Sequence, residues 1–282
     1  MGLETARQLA RAEMNVVLIG RDSERLAAAA ADVRTSAGAR AGTVRTIVAD
    51  LLESRQVRTL AATLAQREGR IDILINNAGA AFPRYGETAD GVERTYAINH
   101  HAPFLLTHAL LESATLAADA RIINVSSFTE SRGRLDLVTP DIAGTSLRER
   151  RYNPLVVYGT SKLLSLLATR ELARRLPDNM NIYSADPGRV RDTEFNTRAG
   201  GLMKLTAPLL ARFSVTPHQA VQTNLWLATT LTPPGPSGGL YAKEHAATPS
   251  RLGRDEILAR VVYERTAELL GITAPRSVGA AD

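Results

Sequence analysis

The chain has 282 residues, is 44% hydrophobic and carries a formal net charge of +5, so it can bury a full core and reads as one large α/β domain. It has no cysteine, which excludes disulfides, thiolate metal sites and cysteine nucleophiles, and its five histidines (100, 101, 108, 218 and 245) lack paired ligand spacing, so no metal is expected. Arginines scattered among acids argue against nucleic acid, and with no run near the ~18 apolar residues of a span and no signal-peptide pattern, a soluble, cytoplasmic protein without a membrane span is expected.

Taken in order, Gly2 to Met14 has helical spacing in Leu3, Ala6, Leu9 and Ala10. Asn15 to Ile19 is a short apolar run suited to a strand buried on both faces, closed by Gly20-Arg21-Asp22. An alanine-rich helix follows, with Ser23 as its expected N-cap and Gly38 as its stop. Val44 to Ala49 is a second strand, closed by Asp50. Ser54 is the expected cap of a helix to about Glu68, and Ile71 to Ile75 is a third strand. Such alternation predicts a parallel sheet covered on both sides.

The third strand runs into Asn76-Asn77-Ala78-Gly79-Ala80, small residues where open α/β sheets admit a ligand to the backbone, although a plain turn has the same composition. The next helix contains Asn99 in its interior. Asparagine is a mediocre helix former there: it either faces solvent or holds a water or a bent backbone. Arg121 to Val125 is a strand ending in Ser126-Ser127, and the arginine-rich stretch from there to Tyr158 reads as a surface excursion over a site. Tyr158 and Lys162 stand four residues apart, on one face of a helix continuing through Leu176. A fixed cation beside a phenol favours the phenolate, so Lys162 is expected to lower the Tyr158 pKa from its ordinary value near ~10. Asn181 to Ala185 is another strand, leaving through Asp186-Pro187-Gly188. Ala199 to Ser214 reads as a cover on the substrate side, Thr216-Pro217 opens a helix to about Thr230, Leu240 to Ala242 is a last strand and Asp255 to Leu270 a last helix.

The ordered set strand-NNAG, interior Asn, strand-SS, Tyr-x-x-x-Lys and strand-PG resembles the short-chain dehydrogenase/reductase family over nearly the whole chain, and the region around Ser237 to Tyr241 resembles its retinol-dehydrogenase-like and WW-domain-oxidoreductase-like branch. The resemblance implies a Rossmann-like doubly wound parallel sheet and an oxidoreductase interconverting a carbonyl and an alcohol on an apolar small molecule. Tyr158 would be the general acid/base, Lys162 would lower its pKa and hold the nicotinamide ribose, Ser127 would bind the substrate oxygen, and Asn99 would secure a water linking Lys162 to solvent. Asn77, Ala78 and Gly79 would border the adenine ribose, with Asp50 and Leu51 at the adenine edge. Pro187, Gly188 and Val190 would shape the nicotinamide pocket, with Thr193 at the carboxamide. Arg21, after the second sheet strand, favours NADP(H) over NAD(H) because arginine accommodates a 2′-phosphate, while the adjoining Asp22 argues the other way. Many members of that family pair through the helices carrying Asn99 and Tyr158, so the resemblance allows a homodimer and leaves the oligomeric state open.

The pattern departs from the family at the start. Gly2 matches the last glycine of the phosphate-binding loop, and the first, central strand and the rest of that loop are missing. The favoured reading is a start upstream of Met1. The other is a truncated, catalytically silent relative acting as a binding or regulatory module. For the chain as it stands, the expectation is a sheet one strand short between Asn15–Ile19 and Ile71–Ile75.

Overall fold

Residues 1–38, 42–148, 151–188, 190 and 215–273 are described by a computed structural model, and Thr193 and the segment from Ala199 to Ser214 lie outside them. The architecture is α/β with a mostly parallel sheet, and the short β-rich runs fall where the sequence places them. Helix α1 (Gly2–Arg11) leads to β1 (Val16–Gly20), α2 (Ser23–Ala37), β2 (Val44–Val48), α3 (Ser54–Glu68) and β3 (Ile71–Asn76). A long helical stretch of α4 (Arg94–Tyr96), a π turn (Ala97–His101) and α5 (Ala102–Glu112) precedes β4 (Leu116–Val125). Then come α6 (Pro154–Ala173), β5 (Asn181–Asp186), α7 (Pro217–Ala220), α8 (Gln222–Thr229), β6 (Leu240–Ala242), β7 (His245–Ala247) and α9 (Glu256–Leu270).

The strands form two sheets, β1-β2 and β3-β4-β5-β6-β7. Pairing is parallel except for β6 with β7, an antiparallel edge that the sequence reading missed because three residues are too few to show a period. Among the described residues no ladder joins β1 to β3, the interruption expected from the sequence. Apolar packing still links the two parts: Val17 and Ile19 of β1 pack on the core formed by Val57, Leu60 and Leu64 of α3, Leu74 of β3 and Leu105 and Leu110 of α5.

Several boundaries differ from the expected ones. Ser23 is the first helical residue and Asp22 is the N-cap, its carboxylate accepting the Arg25 N–H at 3.0 Å. Ser54 likewise begins its helix, with Glu53 at the cap position. Helix α1 stops at Arg11, and Glu13 takes a φ of 62°. Helix α6 opens at Pro154, with Asn153 capping the Leu155 N–H at 3.1 Å, so Tyr158 sits in the second turn of a longer helix.

The stretch between Ser127 and Tyr158 is anchored rather than laid over the surface. Two 3-10 turns, Phe128–Arg132 and Thr145–Leu147, shape it. Buried Glu130 accepts the Ser250 N–H at 2.8 Å and its hydroxyl at 2.6 Å, and the His101 Nε2–H donates to the Ile142 carbonyl at 3.0 Å. Helix α9 packs on α6 through Leu258 and Val262 against Leu163, Leu164 and Leu167. It also reaches α5, where the Tyr263 hydroxyl donates to His108 Nε2 at 2.7 Å while His108 Nδ1–H donates to the Phe104 carbonyl at 2.7 Å. The helices that such a homodimer would use are therefore partly covered by the chain's own last helix. Among the described residues no helix is long and apolar enough to cross a membrane.

Burial pushes the pKa of both His101 and His108 down to about 4, so both stay neutral in the folded state. Unfolded histidines titrate near ~6.5 and bind protons first as the pH falls, so this stability is complete above about pH 6.5 and is lost as the pH drops toward 4. Urea unfolding at pH 7 and pH 5 should show a loss on the order of 1–2 kcal/mol per histidine, and His101→Gln should make the acid limb shallower.

Candidate active site

The site gathers at the carboxyl ends of β3, β4 and β5, where small residues leave the backbone open. Lys162 is only 4% exposed, and its Nζ donates to the carbonyl of Val125, the last residue of β4, at 2.7 Å. An ammonium in that position has lost most of its water, and burial pushes its pKa down to about 8. The amine lies 5.7 Å from the centre of the Tyr158 ring, so helical spacing places the two side chains together as expected.

The Tyr158 hydroxyl is hydrogen-bonded to Ser127, and its pKa is pushed up to about 12 by burial, with a smaller upward push from Asp186. This corrects the expectation that Lys162 makes the phenol more acidic. Lys162 is buried and Tyr158 half-buried, desolvation penalises the charged form of each, and the amine donates to a backbone carbonyl. Ser127 caps the 3-10 turn after β4, its Oγ accepting from the Thr129 hydroxyl at 2.9 Å, which holds it toward Tyr158.

Asn99 resolves the open choice about an asparagine inside a helix. It stands in the π turn, where the wider winding presents a side chain off the regular helical face. Its Oδ1 accepts the Ala80 N–H at 2.9 Å, and its Nδ2 donates to the Ala80 carbonyl at 2.8 Å and to Ser161 Oγ at 2.9 Å. The amide thus clamps the loop after β3 to the helix bearing Tyr158 and Lys162. A Cβ at Gly79 would lie 2.9 Å from Asn99 Oδ1 and 3.4 Å from Lys162 Nζ, so glycine is needed for that approach.

The other expected residues lie just past the carboxyl ends of β1, β2, β3 and β5 and at the head of α1. Ala78 and Gly79 are exposed at the end of β3. Gly2 begins α1 against Asn77, where an added Cβ would stand 2.7 Å from the amide nitrogen, and Asn77 Oδ1 is buried with no hydrogen-bond partner. Asp50 accepts the Leu52 N–H at 3.0 Å and so shapes the turn carrying Leu51. Arg21 is exposed before α2. Pro187 is half-buried, Gly188 has a φ of 72°, and buried Val190 forms a parallel bridge with Val215.

Sequence reasoning missed Ser161, whose hydroxyl receives Asn99 and donates to the Tyr158 carbonyl at 2.7 Å, and Asp186, which is 9% exposed beside the dyad. Neither has a local signal. A serine inside an apolar helix and an aspartate before Pro-Gly both read as ordinary packing and turn chemistry.

The profile of the family described as short chain dehydrogenase matches residues 1–137. The chain is 36% identical to human retinol dehydrogenase 11 over 96% of its own length and 83% of that protein. It is 35% identical to a Streptomyces protein bearing the name daunorubicin C-13 ketoreductase, over 97% of this chain and 90% of that one. A short-chain dehydrogenase from Sphingobium yanoikuyae, solved in complex with NADPH, superposes with a TM-score of 0.57 at 26% identity, covering 79% of this chain and 78% of that one. The extent of these matches and the grouping of Tyr158, Lys162, Ser127 and Asn99 at the strand ends lead to one conclusion: the chain belongs to the short-chain dehydrogenase/reductase family, a retinol-dehydrogenase-like oxidoreductase that acts on CH–OH groups with a nicotinamide dinucleotide.

Proposed function

We propose that the chain interconverts a carbonyl and an alcohol on an apolar small molecule, prefers NADP(H), and uses Tyr158 as its general acid/base. The observation carrying this reading is the enclosure of the Lys162 ammonium beside the Tyr158 ring, with the phenol hydroxyl on Ser127.

A dinucleotide fits the residues present. The ledge of Ala78 and Gly79 is open, no Cβ stands between Gly79 and Lys162 Nζ, and the buried Asn77 Oδ1 offers an unfilled acceptor. When bound, the nicotinamide supplies or accepts a hydride at the substrate carbon. Ser127 Oγ holds the substrate oxygen and the Tyr158 hydroxyl gives it a proton, which matters as negative charge develops there. A phenol whose pKa is pushed up to about 12 keeps its proton at neutral pH and suits the reductive direction. Lys162 holds the nicotinamide ribose, and Asn99 keeps the Ala80 loop against α6. Gly2 lies at the N-terminus of α1 for the pyrophosphate, Asn77, Ala78 and Gly79 border the adenine ribose, Asp50 and Leu51 the adenine edge, and Pro187, Gly188 and Val190 the nicotinamide.

The coenzyme preference rests on Arg21 and on the employment of its neighbour. Asp22 already receives an N–H at the head of α2, which leaves the exposed guanidinium of Arg21 as the group suited to a 2′-phosphate. The apolar substrate class is supported by Phe128, which follows Ser127 directly and is 41% exposed. It is also supported by the retinol and the C-13 ketone in the names of the two similar proteins.

Two measurements test this reading. With NADPH and a panel of aldehydes and ketones that includes retinal, Tyr158→Phe should lower kcat/KM by about 10²–10⁴-fold with an unchanged circular dichroism spectrum. Retention of activity would refute the assigned role. Arg21→Ser should lower kcat/KM for NADPH by roughly 10–100-fold while leaving NADH turnover nearly unchanged.

A further inference from the structure

Asp186 is the residue of this centre that the mechanism above leaves unused. It is the last residue of β5, its side chain is buried, and β5 is paired with β4 in the register Val125↔Ala185. The Val125 carbonyl that receives Lys162 Nζ therefore lies across the ladder from the residue before Asp186, and the Ser126 N–H bonds to the Ala185 carbonyl at 2.7 Å. The carboxylate is pinned from two directions: the Gly188 N–H donates to Oδ1 at 2.9 Å, and the Phe128 N–H, one residue past Ser127, donates as well. It thus bridges the Ser127 turn and the Pro187-Gly188 turn, within electrostatic reach of both Lys162 and Tyr158.

We propose that Asp186 is a positioning residue whose carboxylate is the counter-charge of Lys162, holding the buried amine in its ammonium form at the catalytic centre. The inference deepens the function proposed above and rests on it for its catalytic meaning. Its physical basis is the cost of isolating an ammonium where, among the described residues, a backbone carbonyl accepts its hydrogen bond. A carboxylate nearby lowers that cost without having to touch the amine. Among the described residues, the charged and titratable groups that act on Asp186 or feel its charge are Lys162 and Tyr158 on α6 and Glu130 on the 3-10 turn, while its partner on β6 is the uncharged Ala242. Of the two acids, Asp186 is the one whose charge acts on the amine, while Glu130 acts on Asp186 and receives the Ser250 N–H and hydroxyl. Burial raises the Asp186 pKa and Lys162 lowers it, while Asp186 in turn raises that of Lys162, the reciprocal signs of a coupled pair.

The chain has three lysines, so ¹³C labelling at lysine Cε gives few enough signals to follow Lys162 directly in the cofactor-free protein, assigned by its loss in Lys162→Arg. Asp186→Asn keeps an oxygen acceptor for the Gly188 N–H and removes the charge. It should move the Lys162 titration down by about one pH unit and bring the high-pH fall of carbonyl reduction to lower pH by a similar amount. In the unsubstituted protein the Lys162 signal should show a second inflection in the acid range as Asp186 protonates, a readout that needs no variant to fold. A Lys162 titration unchanged in folded Asp186→Asn, or no acid-range inflection in the unsubstituted protein, would overturn the proposal. Absence of reduction in every form, with the lysine shift present, would instead overturn the functional reading and leave the electrostatic one standing.

Discussion

A buried ammonium at the end of a central strand sets the terms for the rest of this molecule. Lys162 reaches from α6 to the carbonyl of Val125, which fixes the height of the helix over β4 and brings Tyr158, one turn earlier, to the Ser127 turn that follows the same strand. Burying that charge is unfavourable unless it is compensated. The carbonyl supplies a hydrogen bond and Asp186 supplies opposite charge, so the site holds a group whose protonation is finely balanced. The structure around it keeps water away, with Leu163, Leu164, Leu166 and Leu167 fully buried along the same helix.

The Asn99 amide does comparable work on the neighbouring loop. By answering both the N–H and the carbonyl of Ala80, it replaces a ladder partner that a strand end lacks, and its second hydrogen bond to Ser161 transmits the position of the loop to α6. The π turn makes this possible, because regular winding through Ala97 to His101 would present a different side chain. A local irregularity in one helix thereby registers the β3 ledge against Tyr158 and Lys162.

The sheet is divided between β1 and β3, yet the two parts share apolar packing through α3 and the faces of β1. Backbone pairing and side-chain packing are separable supports of a sheet: the first requires a neighbouring strand, the second only a covered face. The elements that bear Ser127, Tyr158 and Lys162 belong to the five-stranded part or pack on it, while Arg21 and Asp50 follow the strands of the two-stranded part. Coverage of α5 and α6 by α9 has a similar separability, since it buries an apolar face within the chain itself.

The sequence by itself determined the order of the parallel strands and of the helices between them, the opening at NNAG, and the pairing of Tyr158 with Lys162. Each is a matter of local periodicity or of spacing within one element: a run such as Ile71 to Ile75 declares a buried strand, and an interval of four residues declares a shared helical face. It also indicated that a strand was lacking between β1 and β3. Only the tertiary structure decided the state of the groups. The expected acidification of Tyr158 was reversed because desolvation depends on what covers a side chain, and Asn99 became a clamp because a π turn met a loop nineteen residues earlier in the chain. Asp186 came beside Lys162 only once β5 had paired with β4. Helix caps and site electrostatics depend on atoms far apart in sequence, and no periodicity records which of them will meet.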